Sequence, residues 1–246
     1  MKNNFLRFEF KYLIPRFLLG DLKGDLAKLN FQEDSANNAD GFYHVASVYF
    51  DTVTLSDYSD KIGGLLARKK LRARIYKKND GEGSAPVWLE IKEKYDMMIS
   101  KKRVALSLTE WQEFLQTPRL ARQNLKSRLS ESETKNLEEF MFWIDLENRR
   151  PYVLVEYKRS AWHLLSGKEK IRITLDYDIK AQKTKNLFAD PTANVSQNNA
   201  VIEIKFSEKM PAQIGSLLAK YNLERVAYSK YAESVDSIRK FYPVPR

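Results

Sequence analysis

Aromatic and charged side chains alternate without a break in Phe8-Glu9-Phe10-Lys11-Tyr12, and an alternation of charged with mainly aliphatic residues follows at four later places in the chain. Side chains at i, i+2 and i+4 of an extended segment share one face, so each place divides into a charged and an apolar side. Arg7, Glu9 and Lys11 stand opposite Phe8, Phe10 and Tyr12, and Arg72 and Arg74 opposite Leu71, Ala73 and Ile75. Glu90, Lys92 and Lys94 oppose Leu89 and Ile91; Lys101 and Arg103 oppose Lys102 and Val104; Glu203 and Lys205 oppose Ile202 and Ile204. An antiparallel sheet with one solvated face alternates routinely, but an ordinary solvated face mixes Ser, Thr, Gln and both signs of charge. Repetition over five strands, with Lys and Arg in excess, points to a different arrangement. If the sheet closes into a barrel, the charged face turns inward and the apolar face outward against helices. The interior is then a basic tunnel.

Strand patterns fall near 5–14, 44–51, 66–77, 86–95, 100–108, 151–160, 169–177 and 200–207, and helical patterns near 15–30, 109–117, 119–145, 211–221 and 228–241. Thr109 is the expected cap of the second helix, and the acidic Glu131 and Glu133 suit a helix start. Strands come in runs rather than alternating with helices, which gives an α+β fold with a mainly antiparallel sheet. Asn79 to Ser84 reads as a turn between strands, and Lys180 to Asn199 as a polar loop. No repeat and no Gly- or Pro-rich linker divides the chain, so residues 1–246 are expected to form one domain.

Composition removes whole classes of chemistry. The 246 residues hold no Cys and two His, His44 and His163, so thiolate sites and poly-His metal sites are excluded. Both histidines read as strand or turn residues, and Trp111 and Trp143 as packing aromatics of helices. A divalent metal would have to rest on carboxylate and phosphate oxygens, the pattern of Mg or Mn. No Walker or dinucleotide motif is present, and Gly63-Gly64 reads as a turn. The start lacks the apolar stretch of a signal peptide, and no run is long enough to cross a bilayer. A cytoplasmic protein is expected, with any membrane partner a separate polypeptide. The 42 Lys and Arg against 32 Asp and Glu, a net charge of +10, call for an anionic partner. Nucleic acid is disfavoured, because the bases lie on the face opposite the strand aromatics rather than interleaved with stacking rings. A linear polyphosphate suits the tunnel better: guanidinium groups bind phosphate oxygens bidentately and ammonium groups add point charge. Glu9, Glu90 and Glu203 would either hold a metal or orient the bases while the tunnel is empty.

The order Phe8-Glu9-Phe10-Lys11-Tyr12, Ser47-Val48-Tyr49-Phe50-Asp51, Leu71-Arg72-Ala73-Arg74-Ile75-Tyr76, Glu90-Ile91-Lys92 and Lys101-Lys102-Arg103 resembles the VTC domain. That family is the polyphosphate polymerase branch of the triphosphate tunnel (CYTH-like) superfamily. Tyr157-Lys158-Arg159-Ser160-Ala161-Trp162, Arg172-Ile173-Thr174-Leu175-Asp176, Val201-Ile202-Glu203-Ile204-Lys205 and Tyr228-Ser229-Lys230-Tyr231 continue the resemblance over about residues 5–235. It implies an eight-stranded antiparallel tunnel that binds the triphosphate of ATP and passes its terminal phosphate to a growing polyphosphate chain, with Mn2+ or Mg2+ as cofactor and polyphosphate or pyrophosphate as partners. It also implies roles for residues. Arg72, Arg74, Arg159 and Lys92 would act on the transferred group, and Lys11, Lys101, Arg103, Tyr157, Arg172, Ser229 and Lys230 would bind phosphates. Glu203 would hold the metal, supported by Glu9 and Glu90. One departure stands out: Ala227 precedes Tyr228-Ser229-Lys230 where polymerases of the yeast type carry a second Lys, and Arg225 has the wrong parity to replace it on a strand. The alternatives are a tunnel-type triphosphatase and a non-catalytic polyphosphate-binding module. Arg7 stands where the hydrolases of this superfamily have the first Glu of Glu-x-Glu-x-Lys, which favours the polymerase.

Overall fold

A computed structural model describes residues 8–77, 85–96, 98–166, 169–196 and 198–241. Arg7, Met97 and the turn expected at 79–84 lie outside the described residues. The chain runs β1 (Phe8–Pro15), α1 (Leu19–Lys28, after a short 3-10 turn), β2 (Gln32–Glu33), β3 (Tyr43–Asp51) and α2 (Ser56–Ile62). It continues through β4 (Ala67–Lys77), β5 (Val87–Tyr95), β6 (Met98–Leu106), α3 (Leu108–Gln116), α4 (Pro118–Lys126) and α5 (Glu131–Glu147). The last part is β7 (Arg150–Ser166), β8 (Glu169–Gln182), β9 (Ala193–Asn194), β10 (Asn199–Phe206), α6 (Ala212–Lys220) and α7 (Lys230–Phe241). Among the described residues this is an α+β architecture with one ten-stranded antiparallel sheet and seven α-helices.

Eight strands follow each other in the order β1-β10-β8-β7-β3-β4-β5-β6, and β2 and β9 add short pairs to β7 and β8. The expected closed barrel is not formed: no ladder joins β6 back to β1 among the described residues. The open edge of β1 is occupied instead by the segment before α7. Arg225 bridges Tyr12, and Val226 N–H donates to the Lys11 carbonyl at 2.8 Å.

The inversion of faces is present. Leu71, Ala73 and Ile75 of β4, Leu89 and Ile91 of β5 and Val104 and Leu106 of β6 pack outward against Trp111, Phe114, Leu125, Leu137 and Phe140 of α3 to α5. Tyr12, Ile14, Ile173, Ile202 and Ile204 pack outward against Leu19, Leu22 and Leu26 of α1 and Ile214 and Leu217 of α6. One helix departs from the expectation that all helices lie outside. Tyr231, Val235 and Ile238 of α7 pack on Val45 and Tyr49 of β3 and Val153, Val155 and Tyr157 of β7, which have the parity of the charged face. The inner face is thus apolar and capped by α7 along one part, and charged and open along the rest.

Local chemistry corrects three boundaries. The single helix expected over 119–145 is two, because Ser130 accepts from Glu133 N–H at 3.3 Å while the Glu133 carboxylate accepts from Ser130 N–H at 3.1 Å, a reciprocal cap that starts α5 afresh. Ser107, not Thr109, caps α3 by the same device with Glu110. The loop expected from Lys180 to Asn199 begins only after β8 ends at Gln182 and contains β9.

Candidate functional site

Inner-face residues of β1, β3 to β8 and β10 converge on a cavity of about 860 Å³, which α7 and the segment before it close on one side. Fifteen Lys and Arg side chains line it against two carboxylates, Glu9 and Glu203. The register explains the concentration of charge. Arg72 faces Glu90 and Lys70 faces Lys92 across β4 and β5, Lys92 faces Lys101 across β5 and β6, and Lys11 faces Glu203 across β1 and β10. Every residue singled out from the sequence lines this cavity except Glu90, which lies buried behind it: Arg72, Arg74, Arg159, Lys92, Lys11, Lys101, Arg103, Tyr157, Arg172, Ser229, Lys230, Glu203 and Glu9.

The bases are organised around buried carboxylates. Glu90, fully buried, receives Arg72 Nε at 2.7 Å, Arg74 Nη1 at 3.9 Å and the Lys101 ammonium. Burial would raise its pKa, but Arg72, Arg74 and Lys101 together hold it well below the usual carboxylate range. Arg74 also donates to Ser47 Oγ at 2.9 Å and to the Tyr157 hydroxyl at 3.3 Å, which fixes its guanidinium. A second centre is Asp176 on β8. Arg159 grips it bidentately at 2.6 and 2.7 Å, and Lys230 from the start of α7 reaches it at 2.6 Å. At the third, Lys92 donates to both Glu9 oxygens at 2.8 and 3.0 Å, while Lys11 lies 3.4 Å from Glu9 and 3.9 Å from Glu203. Burial pushes Glu203 up, yet Lys205, Lys11, Lys230 and Lys92 win and hold it well below the ordinary range. The field acts on phenols as well: burial raises Tyr76, but Arg74 and Lys101 bring it down to about 8.

Arg172 lies 3.1 Å from Asp34 and donates to the Tyr43 hydroxyl at 3.3 Å, and Arg103 stacks over Trp88 at 4.3 Å. Arg225 does line the cavity, its guanidinium 4.2 Å above Phe10. Its segment is not a strand, so strand parity does not govern where it points. Among the participants given no role from the sequence are Asp176, which holds Arg159 and Lys230, then Lys70, and the phenols Tyr49 and Tyr76. All four lie at parity positions of recognised strands. His44 and His163 lie on β3 and β7, His163 directly across from Arg172, and neither lines the cavity; Trp111 is buried in the outer core.

Could the site take a divalent metal? Among the described residues no group of three or more His, Cys, Asp or Glu gathers as a ligand set. Glu9 and Glu203 share the same ammonium neighbours and could supply one or two carboxylate oxygens. That donor set fits a cation held mainly by substrate phosphates, as Mg or Mn commonly is.

The VTC domain family matches residues 6–239. The chain belongs to the VTC domain family. No curated protein matches this VTC domain in sequence. Among solved structures, a protein from Bacillus halodurans provisionally named an adenylate cyclase is 12% identical, with 96% of this chain and 97% of that one covered and a TM-score of 0.49. A provisionally named adenylyl cyclase from Hippeastrum, described as having a dominant triphosphatase activity, is 14% identical, with 94% and 95% covered and a TM-score of 0.48. For a third, from Vibrio parahaemolyticus, the values are 12%, 93% and 98%, and 0.47. No helix of the described residues is long and apolar enough to cross a membrane.

Proposed function

We propose that this VTC domain is a polyphosphate polymerase that moves the terminal phosphate of ATP onto a growing polyphosphate chain. The observation that carries the reading is the cavity itself, where fifteen bases face two carboxylates, in a member of this family. Phosphoryl transfer asks for positioning and charge neutralisation rather than a protein nucleophile, and these side chains supply both. Arg72, Arg74 and Arg159 are pre-oriented by Glu90, Ser47 and Asp176 and would neutralise the transferred group. Lys11, Lys92, Lys101 and Lys230 would hold the phosphates on either side of it, with Arg103 and Arg172 extending the basic wall. Tyr157 and Ser229 would add hydroxyl donors. Mn2+ or Mg2+ would be held by Glu203, with Glu9 beside it, and would supply positive charge against the substrate phosphates. Glu90 serves the bases rather than the metal, since three cations already engage it.

Purified protein with ATP and Mn2+, with polyphosphate, ADP and free phosphate counted together, tests this. Polyphosphate formed in step with ADP, and lost in Arg74→Ala while the fold persists, is expected. Free phosphate without polymer would make the domain a triphosphatase, and no ADP would leave a polyphosphate-binding module.

A further inference from the structure

Most bases in the cavity come with an anion of their own. Arg72 and Lys101 meet Glu90, Arg159 and Lys230 meet Asp176, and Lys92 meets Glu9. Lys70 is different. It stands two residues before Arg72 on the same face of β4, lines the cavity, and its Nζ donates at 2.7 Å to Ser229 Oγ, with no carboxylate in salt-bridge reach among the described residues. The ammonium also lies 5.1 Å from the centre of the Tyr231 ring. Its charged surroundings are on balance unfavourable: Lys11 of β1 repels it most, Asp57 of α2 attracts it, and Lys92 of β5 and Lys61 of α2 add further repulsion. Ser229 Oγ already accepts from Lys70 and from Ala232 N–H at 3.3 Å. Its own hydrogen is therefore left to donate. An ammonium and a hydroxyl, both donors and both facing a cavity dense in cations, lack one thing, which is an anionic oxygen.

We propose that Lys70 and the Ser229 hydroxyl form a phosphoryl subsite in which Lys70 is a further substrate-binding residue. This rests on the reading that the cavity holds a phosphate chain. The phosphoryl group could belong to the donor nucleotide or to the inorganic chain, and both would make the same contacts. One consequence separates this role from a structural one. Burial, then Lys11, push Lys70 down to about 7. A phosphate bound against it favours the charged form, so binding takes up a proton. The contribution of Lys70 to affinity is full below about pH 7 and declines as the pH rises.

Inorganic tripolyphosphate and ATP, each titrated calorimetrically into wild type, Lys70→Ala and Lys70→Arg between pH 6 and 9, test the proposal. At pH 6.5 Lys70→Ala should bind at least about tenfold more weakly, the effect of one charge-assisted contact. Lys70→Arg should keep the affinity at pH 6.5 and show a shallower fall towards pH 9, because arginine does not titrate there. A tenfold loss for ATP alone places the donor nucleotide at Lys70, and a loss for tripolyphosphate alone places the inorganic chain there; either supports the subsite. Wild-type binding with Lys70→Ala within twofold for both ligands, or a Lys70→Arg slope equal to wild type, would overturn it. If wild type binds neither ligand, the phosphate reading of the cavity falls as well. Should Lys70→Ala not fold, Lys70→Met, which keeps the aliphatic stem, carries the same comparison.

Discussion

The fully buried Asp176 carboxylate has two cations for partners, Arg159 and Lys230, each less than a tenth exposed. Removing one member of a buried ionic group leaves the others uncompensated, at a cost of about 3–5 kcal/mol. Asp176→Ala should therefore lower unfolding free energy by about that amount in urea, and added tripolyphosphate should recover part of it as phosphate oxygens take the place of the lost carboxylate. A loss below about 1 kcal/mol would show that Glu203, 3.8 Å from Lys230, compensates by itself. This residue was open to reading from the sequence, since 172, 174 and 176 share a face, but its opposite charge hid it among the bases. Lys70 was hidden for another reason. The run Arg68-Lys69-Lys70 breaks the alternation, and only the structure shows that Lys69 turns outward to Glu147 at 3.3 Å while its neighbours turn in. The tyrosines look like strand aromatics, and nothing local says which of them face the charges.

Secondary structure was legible where the signal is short-ranged, and less so where partners are distant. Alternation located all eight long strands and placed the charged faces of five of them on one side, because period two is a property of consecutive residues. The division of 119–145 into α4 and α5 was also within reach, since Ser130-x-x-Glu133 is a capping box. Ser130→Ala should cost about 1 kcal/mol, read as a lower urea midpoint, and leave ATP turnover per folded molecule unchanged, because Ser130 lies among outer helices. An equal loss of turnover would mean that the helical layer controls the inner face. The position of α7 could not be read. Its apolar residues Tyr231, Val235 and Ile238 mark a helix, but whether that stripe lands outside the sheet or on its inner face depends on strands more than thirty residues away. That no ladder joins β6 to β1 among the described residues has the same origin, as residues 225–226 lie along the edge of β1 that a barrel would need.

A molecule with net charge +10 that gathers fifteen bases around one cavity folds against its own repulsion. Glu9, Glu90, Asp176 and Glu203 offset part of that cost, and the remainder is what a polyanion relieves on entering. Ligand that binds the folded state alone adds about 2.7 kcal/mol of stability at a hundredfold excess over Kd. At about 2–4 °C per kcal/mol for a chain of this size, tripolyphosphate at that concentration should raise the melting temperature by roughly 5–10 °C. Simple salt acts on the same repulsion by screening alone, over a Debye length of about 10 Å at 0.1 M. Sodium chloride matched for ionic strength should therefore raise the melting temperature less, and should shrink the tripolyphosphate shift when both are present. If matched chloride gave the whole shift, the cavity would be a reservoir of charge without a site in it. If the shift survives in part when Arg74 is changed to Ala but vanishes in Lys70→Ala, the anchoring contact is on the α7 side of the cavity rather than at Glu90.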